Sequence, residues 1–323
     1  MRIRWVAALG AIATTFALVT SAIAQVELKL SSQWTDKTVA SEADKWWAAE
    51  IEKRTAGKIR IKIFYAGALA KPSENLQLIR SGGVEIVDMS PSYFGADLPL
   101  HTAPNSIPMA MAEVPQATIL IQRLLKEVTA LDAETKNNGV KALFFHHLNP
   151  YLLVCRNPVR SLAEVKGKKI RTWGSDMPRM VQAAGGVPVT LGLPELYEGL
   201  SRGTVDCIPF SVDLMVNYKI YEVAKHVHDI TLWLGPTSGV WINRTTWEKL
   251  APDLQKTIQE VSDEAAIRDR DLTIAADNEC DFYINGQFFF YGTGGGSFSR
   301  NDRADFLMGL PDELLQFPEA PSD

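Results

Sequence analysis

The chain has 323 residues, 46% of them hydrophobic and 22% charged, with a formal net charge of −5. Those values are ordinary for a soluble globular protein and leave room for two domains, each with its own core. The mildly acidic balance offers nucleic acid no electrostatic match, so a nucleic-acid partner is excluded.

Residues 1–24 stand apart from the rest. Arg2 and Arg4 precede a nearly uncharged apolar run from Trp5 to Ala24, and Ala22-Ile23-Ala24 is a small-x-small cleavage signal before Gln25. This pattern predicts a cleaved secretory signal peptide of the Gram-negative type and a periplasmic mature protein. Thr14, Thr15, Thr20 and Ser21 dilute the run relative to a membrane anchor. Without Arg2 and Arg4, 31 basic residues face 38 acidic ones, a net charge of −7. No later stretch is long and apolar enough to span a bilayer, so the mature chain is expected to be soluble.

Val26 to Leu30 alternates as a first strand. Ala40, Ala43, Trp47 and Ile51 recur at helical spacing from Thr38 to Thr55, and Gly57 ends that helix. Lys58 to Phe64 alternates again, Pro72 opens a helix that stops at Ser81-Gly82-Gly83, and Val84 to Met89 is a short apolar strand. The β-α-β-α-β series predicts a parallel sheet covered by helices. Pro99, Pro104 and Pro108 predict a loop. One long helix is then expected, with Ala117, Leu120, Ile121, Leu124, Val128 and Leu131 on one face and Asn137-Asn138-Gly139 as its cap. Val140 to Phe145 and a run beginning at Tyr151 read as strands.

The second half repeats the alternation. Strands are expected at 168–172, 187–190, 205–208, 227–233 and 239–242, with helices at 177–184 and 195–201. Pro252 opens a helical pattern running to about Ile284, long enough to span two domains. Gly292 to Gly296 and the Pro-containing tail read as loop. Cys155, Cys207 and Cys280 are an odd set for an oxidising compartment, and at least one of the two strand cysteines is expected as a free buried thiol.

No nucleophile elbow, Walker loop, H-E-x-x-H or G-x-G-x-x-G motif is present. His226 and His228 share a strand face and are either a metal pair or a polar sheet face. His146 and His147 are adjacent and point to opposite faces, while Asp206 and Asp213 fall on a strand and the helix after it. Neither a metal nor a cofactor is expected. The stretch Lys168-Lys169-Ile170-Arg171-Thr172-Trp173-Gly174 is more informative. Arg171 sits at a strand's C-terminal end, where α/β folds place ligand groups. Its planar fork pairs with a carboxylate through two parallel hydrogen bonds, and Trp173 lies two residues on, on the same face.

Several pieces, in order, resemble one family. They are Glu52-Lys53-Arg54-Thr55-Ala56-Gly57-Lys58, Tyr65-Ala66-Gly67-Ala68-Leu69, Ile79 to Met89, Leu162 to Arg171, Ala184-Gly185-Gly186-Val187-Pro188-Val189 and Glu195 to Asp206. Together they are similar to the extracytoplasmic solute-binding proteins of TRAP transporters, the dicarboxylate-binding (DctP-like) type. The resemblance implies an α/β two-domain periplasmic binding protein fold with crossing strands and a long hinge helix. It divides the chain into residues 25–148 with 237–276, and residues 149–236 with 277–323. It further implies that Arg171 clamps a substrate carboxylate as the cleft closes, and that TRAP membrane subunits receive the solute from a monomer.

The chain departs from well-known members. Sialic-acid binders carry a second arginine where Tyr151 stands here, and Cys207-Ile208-Pro209-Phe210-Ser211 replaces a more polar stretch. The C-terminal segment is short and Gly-rich. The ligand expected is therefore a monocarboxylate with an apolar or aromatic body. Trp173 stacks on it or belongs to the core, Phe210 is a wall or core, and Tyr151 donates its hydroxyl or is a strand tyrosine. Trp34, Tyr93 and Ser92 follow strand ends facing the cleft. Asp213 accepts from a ligand hydroxyl or caps a helix, whereas the helix dipole alone explains Glu74. The competing readings are an exported α/β enzyme acting on a small organic acid, and a binding protein serving another importer or a sensor kinase.

Overall fold

The computed structural model describes residues 25–106, 111, 113–234, 237–284 and 289–291. The expected signal peptide and the Gly-rich tail lie outside them. Among the described residues the strands form two sheets, each covered by helices, giving two α/β domains.

The first sheet has the order β2-β1-β3-β10-β4. Its strands are β1 (Val26–Ser32), β2 (Ile59–Phe64), β3 (Ile86–Met89), β4 (Val140–His146) and β10 (Ser238–Asn243). β1, β2 and β3 run parallel, but β10 is antiparallel to both neighbours, so the sheet is mixed rather than all parallel. Period-2 alternation divides its faces. Leu28, Leu30, Ile86, Phe144, Val240 and Ile242 pack under α1 (Val39–Arg54) and α10 (Pro252–Ile284), with Trp47, Ile51, Ile258 and Val261. Val87, Met89, Phe145 and Trp241 face the other way, against Leu76, Ile79, Phe94 and Ile121. Trp47 is fully buried, and its Nε1 donates to Ser262 Oγ at 3.0 Å, tying α1 to α10.

Two helical expectations need correction. Pro99 and Pro104 lie within a helix, α3 (Pro99–Ser106). The carboxylate of Glu134 accepts from Leu100 N and His101 N, capping the N-terminal donors and holding this proline-containing turn in place. Pro108 lies outside the described residues. The expected single helix is two, α4 (Val114–Glu127) and α5 (Thr129–Asn137). Val128 is extended between them, with φ −103° and ψ 93°, and Leu120 and Val128 are exposed, so the apolar stripe is not continuous.

The second sheet has the order β11-β9-β5-β8-β6-β7. These are β5 (Pro150–Cys155), β6 (Lys169–Thr172), β7 (Val187–Thr190), β8 (Cys207–Phe210), β9 (His226–Leu234) and β11 (Phe289–Tyr291). Short helices α2 (Asn75–Arg80), α6 (Asp176–Ala183), α7 (Leu196–Ser201), α8 (Val212–Asn217) and α9 (Arg244–Lys249) complete the fold. Cys155 and Cys207 face each other in the β5–β8 ladder and form a disulfide, which overturns the expected free thiol in that pair.

The chain crosses between the sheets at 147–149 and again between β9 and β10. Helix α10 also belongs to both sides, packing on α1 and β4 and on α8 of the second domain. Asn149, in the first crossing, donates through Nδ2 to Thr273 O of this helix at 3.0 Å and to Asp213 Oδ1 at 3.3 Å. No helix among the described residues is long and apolar enough to cross a membrane.

Candidate ligand-binding site

The parallel strands β1, β3, β6 and β7 all point their C-terminal ends at the space between the two sheets, the usual position for ligand groups in open α/β sheets. β5 is antiparallel to β8, and pairing of Leu152 with Phe210 sets its first residues at the same edge. Gln33 and Trp34 follow β1, and Ser90 and Tyr93 follow β3. Tyr151 is the second residue of β5, Arg171 lies near the end of β6 with Trp173 just past it, and Leu193 lies just beyond β7. These eight residues enclose a cavity of about 10 Å³, the room one water needs.

Arg171 is 1% exposed. Its Nε donates to Leu191 O at 3.1 Å, and its guanidinium lies over the Trp173 ring at 4.1 Å from the centroid. Nη1 has no hydrogen-bond partner. Trp34 is also 1% exposed, and its Nε1 lacks a partner too. Gln33 donates through Nε2 to Ser238 Oγ at 2.9 Å and leaves Oε1 unpaired. One wall of the cavity thus presents two buried donors and one buried acceptor without protein partners. Such atoms are rare in folded proteins and costly unless something else satisfies them.

The rings complete the enclosure. Tyr151 meets Trp173 edge-on at 5.8 Å and Phe210 at 5.9 Å. Burial raises the Tyr151 hydroxyl well above its usual range, with Arg171 opposing and Asp213 adding to the rise, so it remains a neutral donor. Burial likewise raises Tyr93, again opposed by Arg171.

Of the eight residues expected from sequence, Arg171, Trp173, Tyr151, Trp34 and Tyr93 line the cavity. Phe210 does not. It is fully buried in the second domain's core, behind Tyr151 and against Tyr218 at 5.5 Å. Ser92 is buried nearby with an unpaired Oγ, and Asp213 is held by Asn149 at the crossing. Sequence reasoning missed Gln33, Ser90 and Leu193; the available signal was that Gln33 and Ser90 directly follow strands and Leu193 opens the turn after one. Ser90 donates to Thr237 O at 3.0 Å, fixing the end of β3 to the second crossing.

The two domains meet closely around this space. A Cβ on Gly174, whose φ is +62°, would lie 2.4 Å from Ser92 O of the opposite domain. Ser106 Oγ donates to Asp176 across the same gap. His226 and His228 gather no third ligating side chain among the described residues, where the one such group is Asp44, Asp88 and His146.

Comparison with known proteins agrees with this architecture. The chain is 25% identical over 282 residues to the 2,3-diketo-L-gulonate-binding periplasmic protein YiaO of Escherichia coli, covering 86% of this chain and 84% of that one. An extracytoplasmic solute receptor of Bordetella pertussis, solved binding pyroglutamic acid, superposes with a TM-score of 0.76 at 20% identity, covering 89% of this chain and 96% of that one. A TRAP periplasmic solute-binding protein of Desulfovibrio salexigens, solved with orotic acid, superposes at 0.75 and 21% identity, with 82% and 85% covered. Residues 30–287 match the DctP family, bacterial extracellular solute-binding protein family 7. The chain therefore belongs to that family and is a solute-binding protein rather than an enzyme.

Proposed function

We propose that this protein captures a small monocarboxylate in the periplasm and delivers it to a TRAP membrane complex, with Arg171 as the carboxylate clamp. Support comes from one observation: the Nη1 donor of a buried arginine has no protein partner, in a cavity that also holds an unpaired indole N–H. A carboxylate satisfies both donors, and exclusion of water strengthens each bond. The flat rings of Trp173, Tyr151 and Tyr93 favour a planar or apolar body over a polyhydroxylated one. Gln33 Oε1 would accept from a ring N–H or a hydroxyl of the ligand. Because the present cavity admits only a water-sized object, the acid enters while the domains are apart, and binding shifts them towards the closed form. In this reading residues 25–148 with 237–276 close against 149–236 with the C-terminal remainder.

Native mass spectrometry of protein purified without refolding is expected to find one bound organic acid per chain. Calorimetry with pyroglutamate, orotate and aromatic monocarboxylates then ranks candidates. For whichever binds, folded Arg171→Ala is expected to lose at least about 100-fold in affinity, because two charge-assisted hydrogen bonds contribute about 1.5–3 kcal/mol each. Unchanged affinity would make the clamp assignment wrong.

A further inference from the structure

We propose that Asp44, Asp88 and His146 form a structural site for a small divalent transition-metal ion of the zinc class, separate from the ligand cavity. All three side chains are completely buried. Asp44 comes from α1, Asp88 from β3 and His146 from the end of β4, and period-2 alternation puts the last two on the sheet face that α1 covers. One oxygen of each carboxylate and His146 Nε2 lie within 4.8 Å of one another.

The spacing distinguishes metal ligands from hydrogen-bond partners. His146 Nε2 lies 3.3 Å from Asp44 Oδ1, within reach of a hydrogen bond but not aligned as one, and 3.7 Å from Asp88 Oδ2, too long for one. Both oxygens of Asp44 and Oδ2 of Asp88 are also without hydrogen-bond partners. A proton donated from Nε2 to either oxygen would draw the pair to about 2.7–3.2 Å, shorter than both spacings. Tetrahedral ligands about 2.1 Å from a zinc ion stand roughly 3.4 Å apart, close to the two spacings from His146 to the carboxylates.

The surrounding groups are those a metal ligand set needs. Asp269 of α10 approaches His146 Nδ1 at 2.7 Å, fixing the tautomer that turns the Nε2 lone pair towards Asp44 and Asp88. The second oxygen of Asp269 accepts from His147 N at 3.0 Å. Ser238 Oγ donates to Asp88 Oδ1 at 2.5 Å and leaves Oδ2 free to coordinate. Three buried carboxyl groups, those of Asp44, Asp88 and Asp269, surround one imidazole, and a divalent ion would offset the charge they carry when ionised. Three protein ligands plus a water complete a four-coordinate shell. Through Gln33, which donates to Ser238, the same network reaches the wall of the ligand cavity.

The test uses full-length protein secreted by cells grown with added zinc, purified without chelator and analysed for metal by elemental and native mass spectrometry. One zinc per chain is expected, with loss of the metal in Asp44→Asn and a 10–100-fold weaker hold in Asp269→Asn. Growth with cobalt instead is expected to give the visible d–d bands of a four-coordinate nitrogen and oxygen site. That readout needs no variant, should Asp44→Asn fail to fold. Folded wild-type protein without stoichiometric zinc and without cobalt bands overturns the proposal, as does equal zinc loading in folded Asp44→Asn. Neither result bears on the Arg171 clamp, which is read by acid binding.

Discussion

Replacing both Cys155 and Cys207 with alanine tests the one covalent cross-link in the described residues. The bond joins positions 52 residues apart. In the chain-entropy account a closed loop of that length removes about 4 kcal/mol of conformational freedom from the unfolded state, towards the upper end of the usual 2–4 kcal/mol. The native side loses less. Pairing from Leu152–Phe210 to Cys155–Cys207 holds the two strands together, and both positions sit among Leu153, Val159, Ile170 and Val181. The double variant should therefore fold to the same ladder, keep Tyr151 in place, and bind its acid within a few-fold of wild type. Urea unfolding followed by tryptophan fluorescence should show a loss of about 2–4 kcal/mol, with a somewhat larger m-value as the unfolded chain expands. Thiol titration of the unreduced, urea-unfolded wild type should find one thiol, that of Cys280. Three thiols, or a stability change below about 0.5 kcal/mol, would refute the reasoning.

Two further substitutions separate stability from closure. Gly174→Ala is expected to fold, because the left-handed φ costs about 1–2 kcal/mol whether the domains are open or closed. The new methyl, however, would meet Ser92 O only in the closed form, so affinity for the acid should fall by at least about tenfold. Small-angle scattering should show a larger radius with ligand present, and unchanged affinity would remove this contact from the bound state. Trp47→Ala removes a fully buried ring and the hydrogen bond to Ser262, and should cost about 3–5 kcal/mol in urea titrations while ligand affinity in the remaining folded protein stays near wild type.

Features carried by local chemistry were legible in the sequence. Pro252 and the apolar spacing after it gave both ends of α10, and the two-residue spacing of Arg171 and Trp173 put both on one strand face, where the structure stacks the guanidinium on the ring. Features set by distant parts of the chain were not. Pro104 sits in a helix because Glu134 caps α3 from outside, and the cysteine pairing depends on the register of β5 against β8. The sequence left Phe210 open between wall and core because a ring at a strand end can face the cavity or lie behind it, and in the structure Tyr151 takes the front position. Asp44, Asp88, His146 and Asp269 share no motif, since only the covering of the first sheet by α1 and α10 brings them together.

The two strand crossings run side by side, a consequence of pairing Ser238 with His146 on one side and Pro150 with Leu234 on the other. A body held by two adjacent pins keeps one easy degree of freedom, rotation about the line through them. Shear and twist would stretch hydrogen-bonded backbone at one pin or the other. α10, running alongside as a rod about 50 Å long, makes a third tether off that line and limits the arc. On the closure proposed above, the relative position of the two domains would be close to a single number, and occupancy of the cavity would be reported across the whole molecular surface as one angle.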